Sequence, residues 1–543
     1  MFQLNQDILL QIFTAIPDEK SLFNCLLVCR EYCRCVVRIL WQKPLDGIPS
    51  ARLFRTYLAC LPKESLQYLR DNGINIDPSI SAACFDYISF AKHIDTLNLE
   101  ISALKWCSPI WNSNNNDALQ IWNMHSSEQQ QKALLMVHEL YKCFLDFNRC
   151  KNLLSLKVEI GTTGIKRVQE PPLFKVNFVF PCANSDNNAL ARLKRVILRG
   201  NFDKTSVLQR LTMKSRDIEF LALDCLEMDV PEKEAVESIK LIQMQRNLIH
   251  LRISHHNTSF TRIMAALASQ KHSLASLELH WANFGTFSDT AIEGLIECVN
   301  LKALTLKGSH NGEPQISSKL STVFARLQSL HFAESNTTLG SDFIASCLRT
   351  AGKKLCYLKF DKSMNFRGNA RATITQTISQ SCPNLEFLEI TELDNNDVAS
   401  ILCSCKKLVD LIFTRLDPFD DRAFLELGPK FPPDLQYIKV DKVFRNQNLD
   451  YSLFINFLSN VGPNFKCFDW VHDRQTKLYP RETHLVPSKS INTGKVEMFE
   501  KCKEKSIDEI VESEFFGFLS HYPPNRSHEI MTKFQPKEDS IYD

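Results

Sequence analysis

Four cysteines crowd the first forty residues: Cys25, Cys29, Cys33 and Cys35. Four thiolates at that density could cage a zinc ion, which is gripped tetrahedrally by short-spaced pairs on turns. Cys25, Cys29 and Cys33 instead step by four along an apolar helical stripe, so packing rather than metal is expected. Cys403 and Cys405 form a Cys-x-Cys with no second His or Cys pair nearby in sequence. His138-Glu139 and His528-Glu529 open like a zinc-protease motif, but Lys142 and Thr532 stand where the second histidine must be. Gly352-Lys353-Lys354 lacks the upstream glycine and following Ser or Thr of a phosphate loop. No Gly-x-Ser-x-Gly elbow presents a nucleophilic serine, and His255-His256 are expected in a turn just after a strand. No catalytic constellation, cofactor motif or metal motif emerges, so a non-enzyme is expected.

The elements around these residues must then serve something other than chemistry. The chain has 543 residues, 44% hydrophobic and 23% charged, an ordinary globular balance for three or four domains' worth of length. Its 16 glycines exclude a collagen-like or glycine-rich disordered chain. The net charge of +2 leaves no basic footprint for nucleic acid and no acidic tail. No apolar run approaches the ~18 residues of a membrane span, and the first residues lack the basic start and apolar stretch of a secretory signal. Nineteen cysteines, an odd number in a chain without that signal, read as reduced thiols used as small hydrophobes. A cytoplasmic or nuclear location is expected, with the sequons at Asn257, Asn336 and Asn525 arising by chance.

One pattern recurs through most of the chain: an apolar residue, two variable ones, then apolar-x-apolar. It begins at Leu248, Leu274, Leu301, Leu327, Leu355, Leu385, Leu408 and Leu435, with weaker copies at Ile94, Leu153, Leu193, Ile218 and Phe465. From 193 onward the copies recur about every 27 residues, within the ~20–29 of leucine-rich repeats. The alternation is that of a strand with one buried face. Between strands, Ile292, Leu295 and Ile296 sit at helical spacing, as do Phe343, Ile344, Cys347 and Leu348, and Val398, Ile401 and Leu402. The expected fold is α/β: a curved solenoid over 93–474, parallel strands inside and helices outside. Polar segments near 102–131 and 162–190 read as insertions, with a helix from Gln131 to Phe147 between them. Residues 475–543 read as a charged tail, in which Ile507 to Leu519 could dock as a cap.

Residues 1–45 differ. Asn5 is a good N-cap, and Ile8, Leu9, Ile12, Phe13 and Ile16 form one helical stripe. A second stripe runs through Leu22, Cys25, Leu26, Cys29, Cys33, Val36, Val37 and Leu40, and must end before Lys43-Pro44. So small a helical unit with such an apolar excess calls for a partner to cover part of it. Residues 46–92 read as a helical linker.

These residues resemble the F-box, whose pattern begins Leu-Pro-x-Glu-Ile-Leu-x-x-Ile-Phe. Leu4, Ile8, Leu9, Ile12 and Phe13 match it, as do Val28-Cys29-Arg30 and Trp41 further on. Asn5 stands where the family usually has proline, and Tyr32 where it usually has tryptophan. Four repeats place cysteine three positions ahead of the strand pattern (Cys150, Cys298, Cys382 and Cys405), resembling the cysteine-containing repeats of F-box proteins. Together with residues 41–44, 61–65 and 85–90, the chain to about 475 resembles fungal F-box/leucine-rich-repeat proteins.

The resemblance implies a substrate-recognition subunit of an SCF-type ubiquitin ligase. The F-box would bind a Skp-type adaptor, and through it a cullin-RING ligase, by Leu4, Asn5, Ile8, Leu9, Ile12, Phe13, Leu22, Leu26, Val28, Tyr32 and Trp41. The repeats would hold a protein substrate, with Arg252, His280, Lys307, His331, Tyr357, Lys359, Phe387, Tyr437 and Lys439 turned toward the concave face. Their positive excess over Glu278 and Glu389 suits an acidic or phosphorylated segment with an aromatic anchor. The rival expectation is a leucine-rich-repeat scaffold whose F-box-like helices only cap the solenoid.

Overall fold

The computed structural model describes residues 5–45, 49–77, 83–107, 126–146, 148–159, 188–200, 204–224, 232–254, 259–309, 318–333, 339–361, 364, 366, 368–415, 431–443, 467–472 and 482–485. Leu4, His255-His256, nearly all of the 162–190 segment, and His528-Glu529 with Ile507 to Leu519 in the tail lie outside the described residues. The chain divides into two compact units, residues 1–273 and 274–543.

The first unit opens with three short helices. The Asn5 side chain accepts the Asp7 N–H and starts α1 (Gln6–Thr14), and Asp18 likewise caps α2 (Glu19–Leu26) through Lys20 and Ser21. The single stripe expected from Leu22 to Leu40 is broken by a turn at 27–29. There the Cys29 Sγ accepts the Tyr32 N–H and caps α3 (Arg30–Leu40). The break shifts the phase of the stripe, so Cys29 is exposed, and Cys35, off the expected stripe, is buried. Leu9, Phe13, Leu22, Cys35 and Val36 form the core of the three helices. Helices α4 (Ala51–Leu58) and α5 (Lys63–Asp71) follow, burying Phe54, Tyr57, Leu58 and Leu69.

Five parallel strands complete this unit: β1 (His93–Asp95), β2 (Ser155–Glu159), β3 (Arg195–Arg199), β4 (Phe220–Asp224) and β5 (His250–Ser254). Leu156, Val196, Leu221 and Leu251 lie side by side on the buried face. The first copy is out of the expected frame. Ile94 pairs with Leu156, the second apolar position of its repeat, so the copy begins at Ala91 rather than Ile94. Leu97 and Leu99, taken as strand positions, instead lie in α6 (Thr96–Cys107), whose first turn is capped by Asp95 accepting the Asn98 N–H. Residues 102–107 are therefore helix, with Ser102, Ala103 and Leu104 buried, and not part of an insertion. The helix expected from Gln131 spans Ser127–Phe144 (α7), begun earlier by a capping box between Ser126 and Gln129.

Each strand carbonyl just before the paired stretch accepts two N–H groups from the next strand. Leu154 accepts Lys194 and Arg195, Lys194 accepts Glu219 and Phe220, and Glu219 accepts Ile249 and His250. The Gln42 carbonyl accepts Lys92 and His93 at 2.9 and 3.2 Å in the same way, so the exit of α3 stands where a strand preceding β1 would be. Behind the strands, α8 (Thr205–Lys214) and α9 (Glu232–Met244) are followed by α10 (Ser259–Ala266). Two buried glutamines satisfy the loose ends of these helices. Gln245 donates to the Ser215 and Leu241 carbonyls, and Gln270 to those of Ile242 and Gln245.

The second unit repeats the scheme. Strands β6 (Ser276–His280), β7 (Ala303–Lys307), β8 (Ser329–Ala333), β9 (Tyr357–Phe360), β10 (Phe387–Leu393), β11 (Asp410–Arg415), β12 (Tyr437–Val443) and β13 (Cys467–His472) pair in parallel, and β14 (Glu482–Leu485) adds antiparallel to β13. Helices α11 (Asp289–Glu297), α12 (Ser318–Phe324), α13 (Ser341–Ala351), α14 (Asn369–Ser381) and α15 (Asn395–Ser404) alternate with them. A strand and a helix per copy, in parallel register, is a leucine-rich-repeat architecture. The repeat cysteines are buried and aim S–H groups at backbone oxygens, Cys150 at Ala91 and Cys405 at Cys382. Burial pushes the thiols of Cys150, Cys382 and Cys405 up to about 12, which keeps them protonated.

One turn of this unit is strained. Trp281 has φ 62°, sparsely allowed for a bulky residue, and its N–H reaches the Lys307 carbonyl at 2.7 Å. Its ring fills the space a side chain would need at Gly308, where a Cβ would lie 2.5 Å from Cε3. Gly308→Ala should therefore displace the indole and lower stability by about 1–3 kcal/mol, read as a lower Tm with an altered tryptophan emission. An unchanged melt would mean that the ring yields freely.

Candidate functional site

The expected adaptor residues divide by the side of the helix they occupy. On α1, Leu9 and Phe13 face the core, while Ile8 and Ile12, one turn apart, face solvent. On α2, Leu22 is buried and its neighbour Phe23 is 57% exposed; in the following turn Leu27 is 76% and Val28 65% exposed. Half of the large exposed hydrophobic residues among the described residues thus fall between positions 8 and 28. Singly scattered apolar residues are normal on a surface, but a concentration of them marks an interaction site. Phe23 and Leu27 were missed in the sequence because they fall off the apolar stripes. An apolar residue out of phase with the core was the available signal.

Leu9, Phe13 and Leu22 belong to the core and hold the shape of the three helices. Tyr32 lies edge-on to Phe13 at 5.0 Å, and Leu26 also packs against this core. Trp41 turns away from the exposed face and wedges between Tyr57 and Tyr87, at 5.4 and 4.2 Å between ring centres. It serves the joint, because α3 ends there and the chain runs into the linker. Further bonds fix the joint: Asn98 Nδ2 donates to the Leu45 carbonyl at 2.6 Å, and Lys105 Nζ to that of Pro49 at 3.1 Å. Arg149 clamps the Asp86 carboxylate at 2.9 Å and also donates to the Cys60 carbonyl.

The strand faces are not the basic groove that was expected. Arg252 lies 4.0 Å from Asp224 in the first unit. In the second, His280 meets Glu278 at 2.6 Å and Lys359 meets Glu389 at 2.9 Å. Burial, and then Lys359, push the His331 imidazole down to about 4, so it is neutral at pH 7. Lys307, Tyr437 and Lys439 are half-buried. Tyr357 and Phe387 are each 1% exposed and stack on one another at 4.4 Å, so neither is an open anchor. His280 and Glu278 share one face of a single strand; for Lys359 with Glu389 and Tyr357 with Phe387 the cause is the parallel register. Residues about thirty apart in sequence stand about 4.8 Å apart across strands, where opposite charges pair and rings stack.

Among the described residues no group of His, Cys, Asp and Glu is placed to hold a metal, and no helix is long and apolar enough to cross a membrane.

Comparison with known proteins fits the N-terminal geometry. The F-box-like family model matches residues 6–46. No curated protein matches the chain in sequence. Among solved structures, the leucine-rich repeat-containing protein LegL7 from Legionella pneumophila is similar over 68% of this chain and 94% of its own, at 13% identity and a TM-score of 0.33. That likeness is too slight to add to the fold, which rests on the strands and their register. Residues 6–46 carry an F-box-like domain, and leucine-rich-repeat architecture follows it.

Proposed function

We propose that this chain is a non-catalytic substrate-recognition subunit of an SCF-type ubiquitin ligase, acting in the cytoplasm or nucleus. Ile8, Ile12, Phe23, Leu27 and Val28 dock on a Skp-type adaptor, and the repeats hold a protein substrate. The observation that carries this reading is the concentration of exposed apolar side chains on the F-box-like helices. The joint at Trp41, Gln42 and Leu45 supports it, since a stiff connection to the first repeats holds a substrate at a set distance and raises its effective concentration. Ubiquitin transfer itself belongs to other subunits.

The scaffold reading also has an observation in its favour: the Gln42 carbonyl caps the edge of the sheet at β1. Capping uses residues 41–45, however, and leaves the exposed face at 8–28 unexplained. Mixing the intact chain with a purified Skp-type adaptor separates the two. The ligase reading expects a stable 1:1 complex by gel filtration, and separate elution of the two proteins would leave only the scaffold.

A further inference from the structure

Five turns of the first unit lie at helix ends, and hydrogen bonds tie each to the next. Arg192 Nη1 donates to the Lys151 carbonyl at 3.1 Å, and Ser215 Oγ to that of Leu190 at 2.6 Å. Gln245 Nε2 donates to the Ser215 carbonyl at 3.1 Å, and the Arg246 N–H to that of Arg216 at 2.8 Å. Gln270 Nε2 donates to the Gln245 carbonyl at 3.0 Å. The turns therefore make one continuous, stiff rim. At about 4.8 Å per strand it runs on the order of 20 Å.

The rim is basic. It carries Lys151, Arg192, Lys214, Arg216, Arg246 and Lys271, in a chain whose net charge is only +2. The acids on the same turns are few and engaged. Asp146 accepts the Asn148 N–H, Glu219 holds Lys194 at 2.8 Å, and Asp217 lies 4.0 Å from Arg246. Lys151, Lys214, Arg216 and Lys271 pair with no acid among the described residues. Arg216 Nη1 is shielded from solvent and has no acceptor, an unfavourable state until one arrives. Two exposed apolar side chains stand on the same rim: Met213, 64% exposed, beside Lys214, and Met244, 43% exposed, two residues before Arg246. A helix C-terminus favours a nearby cation, which accounts for Lys214 but not for a run over five turns with methionines among them.

We propose that this rim, centred on Arg216 and Arg246 with Met213 and Met244 beside them, docks an extended acidic segment of a partner protein that also carries apolar side chains. About six extended residues span the roughly 20 Å of the rim. Carboxylates match the arginine forks, and the adaptable thioethers take apolar side chains of varied shape. Methionines rather than aromatic rings flank the cations, which suits a protein segment better than nucleic-acid bases. Two thioethers are also too little apolar surface to seat in a bilayer. The rim uses none of the exposed residues of α1 and α2, so it does not rest on the adaptor reading.

Fluorescence anisotropy of a labelled glutamate-rich peptide carrying leucines, titrated with the intact chain, tests it. Saturable binding that falls with salt is expected, weakened at least ~10-fold by Arg246→Glu combined with Lys271→Glu. Alanine in place of the peptide's leucines, or Met213→Ser with Met244→Ser in the chain, should each weaken it at least ~3-fold. Arg52→Glu makes the same charge change at an exposed position on α4, away from the rim, and should leave binding unchanged. No saturable binding, or binding indifferent to the paired charge reversal in a chain that melts normally, overturns the rim as a docking site. Binding that ignores the leucines and methionines, or tighter binding of polyuridine or phosphatidylserine vesicles, overturns a protein segment as its occupant. Adaptor capture by the charge-reversed chain should be unchanged, so failure here and failure of the ligase reading are distinct results.

Discussion

Phe23→Asp combined with Leu27→Asp should weaken binding to a Skp-type adaptor by at least ~100-fold while leaving the fold intact. Both side chains are exposed, so the unbound chain loses no core contact. On docking, each would bury apolar surface worth about 1.5–3 kcal/mol, and each aspartate would add a desolvation cost. Two such losses exceed the roughly 2.7 kcal/mol that corresponds to 100-fold. Calorimetry with purified adaptor measures the loss, and an unchanged circular dichroism melt establishes that the helices persist. Ile12→Asp should act alike, since Ile12 faces out. Leu9→Asp or Phe13→Asp would be uninformative, because these side chains are core and their loss disrupts all three helices. Undiminished affinity in the folded double variant would remove the exposed face from adaptor binding, and the ligase reading with it.

The second large effect is on stability. Glu100 lies on α6, fully buried, and burial, then Asp95, push its carboxyl up to about 8 from the usual 4.5. The folded chain therefore keeps a proton there that the unfolded chain releases. Between pH 4.5 and 8 the folded state binds more protons at Glu100, so the contribution of this group to stability falls as pH rises and levels off above 8. At ~1.4 kcal/mol per unit the loss across that window is at most about 5 kcal/mol. Glu100→Gln keeps the shape of the protonated acid and cannot ionise. It should raise the urea midpoint at pH 8, with the advantage shrinking to near zero at pH 4.5. A lower midpoint than wild type at pH 8 would mean that Glu100 is ionised and usefully partnered.

Much of the architecture was legible in the sequence because its signals are local. Apolar alternation within six residues places Leu156, Leu251 and Leu358 on the buried faces of their strands wherever the strands end up. The Asn5 cap acts within three residues and began its helix as read. The frame of the first copy was misread because Ala91 is a poor apolar marker, and because Leu97 and Leu99 mimic the pattern within a helix. A five-residue strand motif and a helical turn both place apolar residues two and three apart, and only pairing with Ser155 and Leu156 separates them.

What the sequence determined by itself is the order of parts: an F-box-like helical segment, then strands and helices alternating about every 27 residues. Local propensity and patterning suffice for that, since each copy carries its own instructions. Which side of a stripe faces out, as with Ile12 against Leu9, was decided by how α1, α2 and α3 pack. The lateral pairs Lys359–Glu389 and Tyr357–Phe387 were decided by the tertiary structure alone. The partners lie about 30 residues apart, and only parallel register at about 4.8 Å per strand turns that separation into contact.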